Sequence, residues 1–119
     1  MEMVLVLTHL TGSEELDRQR AEEYCRYAAH KGKIPVSPFL CFHGIFKDEL
    51  GSAVEGILVS RLMEKADGIW VFGEATEGMA SEIAFAAEHG IGVRFMEPEG
   101  MEGGNGHGDG AGFDASDGE

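Results

Sequence analysis

Short, unbroken apolar runs alternate with stretches of helical periodicity along the first 96 residues, and that alternation limits the fold more than any other feature. Met3–Leu7 (MVLVL) and Gly68–Phe72 (GIWVF) carry almost no polar side chain. A strand with one solvated face would alternate, so these runs predict strands covered on both faces. Between them Leu16, Arg20, Tyr24, Tyr27 and Ala28 recur at helical spacing, with Ser13 as N-cap, acids behind it and Gly32 as the stop. KIPVSPF (33–39) reads as a second strand closed by Pro38, and residues 40–51, which have no clean period, as a loop. Val54, Ile57, Leu58, Arg61 and Leu62 predict an amphipathic helix ending near Ala66. After a turn at Gly73–Gly78, Met79, Ile83, Ala86 and Ala87 give one face of a third helix that stops at Gly90, and GVRF (92–95) is a fourth strand. Strands alternating with helices of this length imply right-handed crossovers and a parallel sheet. The expected fold class is α/β, a small doubly wound (Rossmann-like or flavodoxin-like) parallel sheet of four to five strands with helices on both faces.

Charge divides the chain. The 119 residues carry a net −13, and residues 97–119 hold seven acids, eight glycines and no Lys or Arg, leaving −6 for residues 1–96. So few apolar side chains cannot offset the entropy of ordering, so 97–119 reads as a disordered acidic Gly-rich tail, either a solubilising extension or an interaction arm. Residues 1–96 are then the folding domain, small enough for its core to gain from a dimer interface. Binding to a nucleic acid polymer needs cations to replace counterions, and an anionic membrane would repel the chain, so neither partner is expected. Cys25 and Cys41 have no metal-site spacing, and there is no signal segment or run of eighteen apolar residues. The expectation is a soluble cytoplasmic protein with reduced thiols, no bound metal and no cofactor.

In an open parallel sheet, ligands bind beyond the carboxyl ends of the strands. Three stretches qualify: Thr8–Ser13, Ser37–Asp48 and Gly73–Glu82. The first, with Thr8, His9, Thr11, Gly12 and Ser13, opens a helix whose free N–H groups could hold a phosphate, or is an ordinary capped turn. It matches no dinucleotide or P-loop fingerprint. His9 lies at the crevice edge and is the histidine best placed to touch a ligand. The third stretch places Glu74, Glu77 and Glu82 near a helix start, where the dipole stabilises carboxylates whatever their role. Glu82 is further into the helix beside core-facing Ile83, so it either aims at a ligand or decorates the helix.

The segment ADGIWVFGEATEGMASEIAFAAEHGIGVRF (66–95), together with RAEEYCRYAAHKGKIPVSPFL (20–40), resembles the nucleoside 2-deoxyribosyltransferase superfamily. The likeness is greatest to a bacterial and phage branch carrying W-V-F-G followed by S-E-G-M-x-x-E-I. The resemblance implies that Glu82 is a nucleophile attacking the anomeric carbon of a nucleoside or nucleoside monophosphate, a role suited to a carboxylate. It implies that Thr76, with the N–H groups of Glu77 and Gly78, helps hold the phosphate of a 5′-monophosphate, that the adjoining Gly73 and Met79 border the substrate, and that the Thr8–Ser13 loop lies beside the sugar or phosphate. It also implies sites completed across subunits, hence a homodimer or larger homo-oligomer.

Several positions depart from that pattern. The superfamily's second acid aligns with Val59; Glu55, one turn earlier, is the substitute proton donor. Asp67 is read as capping or orienting the strand entry. A branch histidine is replaced by Phe39, with His43 four residues on as a stand-in or as a solvent-exposed loop residue, and two expected arginines are missing. Trp70 is read as core, Tyr24 and Tyr27 as helix-face packing, and His107 as part of the tail. Two functions follow: an N-glycosidase or deoxyribosyltransferase using Glu82 and Glu55, or a catalytically inactive nucleotide-binding sensor or accessory module. A third, an interaction protein acting through its tail, is open as well.

Overall fold

Residues 1–46, 51–74 and 76–97 are described by the structure, a computed structural model. They form β1 (Met3–Thr8), α1 (Glu14–His30), β2 (Ile34–Val36), α2 (Pro38–Phe42), α3 (Gly51–Lys65), β3 (Gly68–Phe72), α4 (Glu77–Glu88) and β4 (Gly92–Met96). The four strands make one all-parallel sheet in the order β2-β1-β3-β4, flanked by helices as in a small Rossmann-like fold. Leu5 pairs with Val36 on one side and Ile69 on the other, and Ile69 with Val93.

Successive residues of a strand face opposite sides, so the apolar runs of β1 and β3 feed two cores. Leu5, Leu7, Ile69 and Val71 pack with Val59 and Met63 of α3 and Met79 and Ala86 of α4. Val4, Val6, Trp70 and Phe72 pack with Tyr24 and Ala28 of α1 on the other side. There the Tyr24 and Phe72 rings stack at 4.3 Å between centroids and 6° between planes. Each fully buried large apolar side chain contributes about 1.5–3 kcal/mol. The chain steps outward from β1 to β2 and in the opposite direction from β3 to β4. Crossovers of one hand running in opposite directions put α1 and α4 on opposite faces, and the loops leaving β1 and β3 diverge between them.

The structure corrects the sequence reading at four places. Pro38 does not close a strand: β2 ends at Val36, Ser37 accepts a hydrogen bond from the Leu40 N–H (3.2 Å), and Pro38 begins a short helix. A serine cap followed by proline at the first helical position satisfies one amide and needs no other, so part of the expected 40–51 loop is helical. On α1 the buried face is Asp17, Ala21, Tyr24 and Ala28, and Leu16 is exposed. On α3 Val59 and Met63 face the core while Ile57 is 59% exposed, which turns the helix away from the expected face. On α4 Ala87 faces solvent and Ala86 is buried.

Asp67 ties the amino ends of β1 and β3 together: its Oδ2 accepts from the Met3 N–H (2.8 Å) and its own N–H donates to the Met3 carbonyl (2.8 Å). Trp70 is core, with the Arg94 guanidinium 5.6 Å from its ring centroid. Among the described residues no helix is long and apolar enough to cross a membrane. The expected tail, apart from Glu97, lies outside the described residues, as do residues 47–50 and His107.

Candidate functional site

Beyond the carboxyl end of β1 is a cavity of about 410 Å³. Val6, Leu7, Thr8 and Leu10 form the wall on the β1 side, and Pro38, Phe39 and His43 that of α2 and the turn after it. Glu55 and Val59, one turn apart on α3, and Thr76, Met79 and Glu82 on α4 complete it. It is a mostly apolar pocket with a few polar groups, placed where the fold predicts a ligand crevice.

Burial makes Glu82 the chemically distinctive group. Its residue is half-buried, but Oε1 is sealed from solvent and has no hydrogen-bond partner. Loss of hydration on burial pushes its pKa above the ordinary 4.5, partly offset by a backbone hydrogen bond. Thr8 Oγ1 and His9 Nδ1 are likewise buried without partners. An unsatisfied buried polar group costs about 1–3 kcal/mol. Two of the three, Thr8 and Glu82, belong to residues on the cavity wall, where a ligand would supply what the protein does not.

The residues singled out in the sequence fall into two groups. Thr8, Glu55, Thr76, Met79 and Glu82 line the cavity together with Phe39, His43 and Val59. His9, Thr11, Gly12, Ser13, Gly73 and Glu77 are close by in the chain but are not among the described residues of its wall, and the expected contact of Gly78 lies outside what is described. Gly73, at φ +88°, takes the chain past His9: a Cβ there would meet His9 Cβ at 3.1 Å, and the backbone conformation itself favours glycine. Thr76 is the N-cap of α4, yet its side chain makes no capping bond. Phe39 and His43 stack at 4.3 Å, and His43 Nε2 is 3.4 Å from Glu14 Oε2.

The Thr11–Ser13 loop is tied to α1 by a residue that the sequence reading did not single out. Asp17 Oδ1 accepts from the Thr11 N–H (2.9 Å) and hydroxyl (2.8 Å), and Oδ2 from the Gly12 N–H (3.3 Å). Burial raises the Asp17 pKa, but these bonds and the Arg20 charge outweigh it and hold the carboxyl below its ordinary 3.8. Its signal was an acid in register with Ala21, Tyr24 and Ala28: a carboxylate on a buried stripe needs donors, and the preceding loop has them.

Among the described residues no three His, Cys, Asp or Glu side chains cluster to hold a metal ion. A family model described as a domain of unknown function, DUF7768, matches residues 2–96. The chain belongs to the DUF7768 family. No curated protein matches it. The DUF7768 match takes in every strand and helix described above and every described residue of the cavity wall, from Val6 to Glu82. Glu82 and Glu55 therefore belong to the body of the DUF7768 domain and not to an extension of it.

Proposed function

We propose that the cavity binds a nucleoside or nucleoside monophosphate and that the protein cleaves or transfers at its N-glycosidic bond, with Glu82 as nucleophile. The observation that carries this reading is the buried, unpartnered Oε1 of Glu82 on the wall of a cavity that also contains Glu55. The likeness to the 2-deoxyribosyltransferase superfamily gives that carboxylate its role. The Glu82 carboxylate attacks the anomeric carbon as the C–N bond breaks, and the bonding pair leaves with the base nitrogen. Glu55 or a water molecule gives that nitrogen a proton. The resulting glycosyl ester is opened by water or by a second base, which returns the Glu82 carboxylate. Burial makes Glu82 more basic than a solvated glutamate, which suits a nucleophile and moves the acid limb of the rate profile above pH 4.5. The side chains carry this scheme without a metal or organic cofactor.

A second reading is favoured by Val59 and Phe39, apolar residues on the cavity wall where the superfamily has an acid and its branch a histidine. On that reading the protein is a catalytically inactive nucleotide-binding sensor or accessory module. Incubation with a panel of deoxynucleosides and their 5′-monophosphates, following free base by chromatography, separates the two. Base release that disappears in Glu82→Ala supports the glycosidic reading; ligand binding with no release from any substrate refutes it in favour of the second. On either reading we propose a cytoplasmic protein that acts as a homodimer or larger homo-oligomer.

A further inference from the structure

Breaking an N-glycosidic bond leaves an electron pair on the base nitrogen, and an acid held beside that nitrogen speeds the step. His43 is a residue of the cavity wall that the scheme above leaves idle. Three contacts place it. Its backbone N–H donates to the Phe39 carbonyl one turn back (2.9 Å), and its ring stacks on the Phe39 ring at 4.3 Å between centroids and 24° between planes. Its Nε2 is 3.4 Å from Oε2 of Glu14, the first residue of α1. A carboxylate only accepts, so Nε2 keeps its hydrogen toward Glu14, and Nδ1 is left as the nitrogen that gains and gives a proton. The side chain is 39% exposed, so water can replace a proton it has given up. The charged side chains around it are acids: Glu14 from α1 and, on the same cavity wall, Glu55 from α3 and Glu82 from α4. No Lys or Arg is among the described lining residues, so a protonated ring has no cation facing it from that wall.

We infer that His43 is a second catalytic residue, the acid that protonates the departing base and then the base that activates water, and that Glu14 is its positioning residue. The inference rests on the glycosidic reading and puts His43 in the place given there to Glu55 or water. As Glu82 bonds to the anomeric carbon, the C–N bonding pair takes the Nδ1 proton and the nucleobase leaves as a neutral molecule. The ring is then neutral with its hydrogen on Nε2, the tautomer that Glu14 holds. In the second half Nδ1 removes a proton from the water that attacks the anomeric carbon, Glu82 leaves as a carboxylate, and the ring is charged again. One side chain serves both steps because imidazole, as a group, exchanges its proton near neutral pH.

Two substrates that differ in their need for an acid test this. One is the deoxynucleoside of the panel that is cleaved fastest; the other is p-nitrophenyl deoxyriboside, whose nitrophenolate departs without a proton. Release from each is followed with the full chain, in the wild type, His43→Gln, Glu14→Gln and Glu82→Ala. His43→Gln is expected to lower kcat about a hundredfold on the nucleoside, the scale of an acid's contribution, and at least tenfold less on the nitrophenyl substrate. That dependence on the leaving group is one that loss of a merely structural contact would not produce. Glu14→Gln is expected to show the same pattern more weakly. The wild-type rate on the nucleoside falls on the alkaline side, as the ring loses its proton, and this fall disappears in His43→Gln. Equal losses on the two substrates, or none, overturn the role of His43 and, while Glu82→Ala abolishes release, leave the glycosidic reading standing. On the unaltered protein, should His43→Gln not fold, a nucleoside rate with no alkaline fall overturns it as well. No release from any substrate by the wild type overturns both readings.

Discussion

Glu82 and Asp17 are carboxylates on the inner sides of two helices, and their surroundings drive them in opposite directions. Asp17 has donors from the loop before its helix and a folded pKa below 3.8, so its contribution to stability is complete above that pH and is lost as pH falls through the folded value. Glu82 has a folded pKa above 4.5, so the folded state holds the extra proton: stability falls as pH rises from 4.5 through the folded value, and the deficit persists at neutral pH. Glu82→Gln is therefore expected to raise stability at pH 7 by about 0.5 kcal/mol or less, since a half-exposed carboxyl is screened, and to leave it unchanged near pH 4. Urea unfolding of both proteins at the two pH values checks this, and equal stability at pH 7 would refute it. Glu82 stood out in the sequence through its place two turns into a helix beside Ile83. Asp17 did not, because a carboxylate in a first helical turn is ordinarily explained by the dipole alone, and only the loop geometry reveals the bonds that bury it.

At the scale of elements, β1 and β3 were legible because an unbroken apolar run has one economical use, a strand between two helical layers. The rotation of α3 was not. Val54, Ile57, Leu58, Val59, Leu62 and Met63 spread apolar residues round much of the helix, so periodicity could not choose between the face with Val59 and the face with Ile57. That choice is made by the fit against Leu5, Leu7 and Ile69, which is a tertiary matter. It also decides that Glu55 joins Val59 on the cavity wall. α2 was missed because five residues are too few to show a period, although Ser37 and Pro38 were its start signal. So short a helix depends on its cap. Ser37→Ala is expected to cost about 1 kcal/mol and to weaken ligand binding more than a distant substitution of equal cost, since α2 presents Phe39 to the cavity. Thermal unfolding and ligand titration of the variant measure the two effects; intact affinity would show that α2 is not part of the site.

At the scale of the molecule, sequence alternation predicted the layers, and the rule of one-handed crossovers predicted a crevice at the strand ends. The order β2-β1-β3-β4 followed from neither, since it depends on which neighbour each crossover reaches. Apolar side chains also remain open on the outside of the domain. Leu10 is 51% exposed at the cavity rim, while Ile45 is 61% and Ile57 59% exposed on the segments flanking residues 47–50. Exposed apolar groups of this size fit the homodimer or larger homo-oligomer proposed above. Light scattering on the full chain is expected to give at least twice the monomer mass, and a monomer at micromolar concentration would refute it. The central place of β1 has a consequence for synthesis on the ribosome. β1 emerges first and can pair with β2 early, but β3, its other neighbour, is more than 60 residues further along the chain. At about 5–20 residues per second, Leu5 and Leu7 wait several seconds for Ile69, Val71 and the helices that cover them. For that interval a strand that ends buried on both faces is an exposed apolar surface, and it is there that a chaperone would bind.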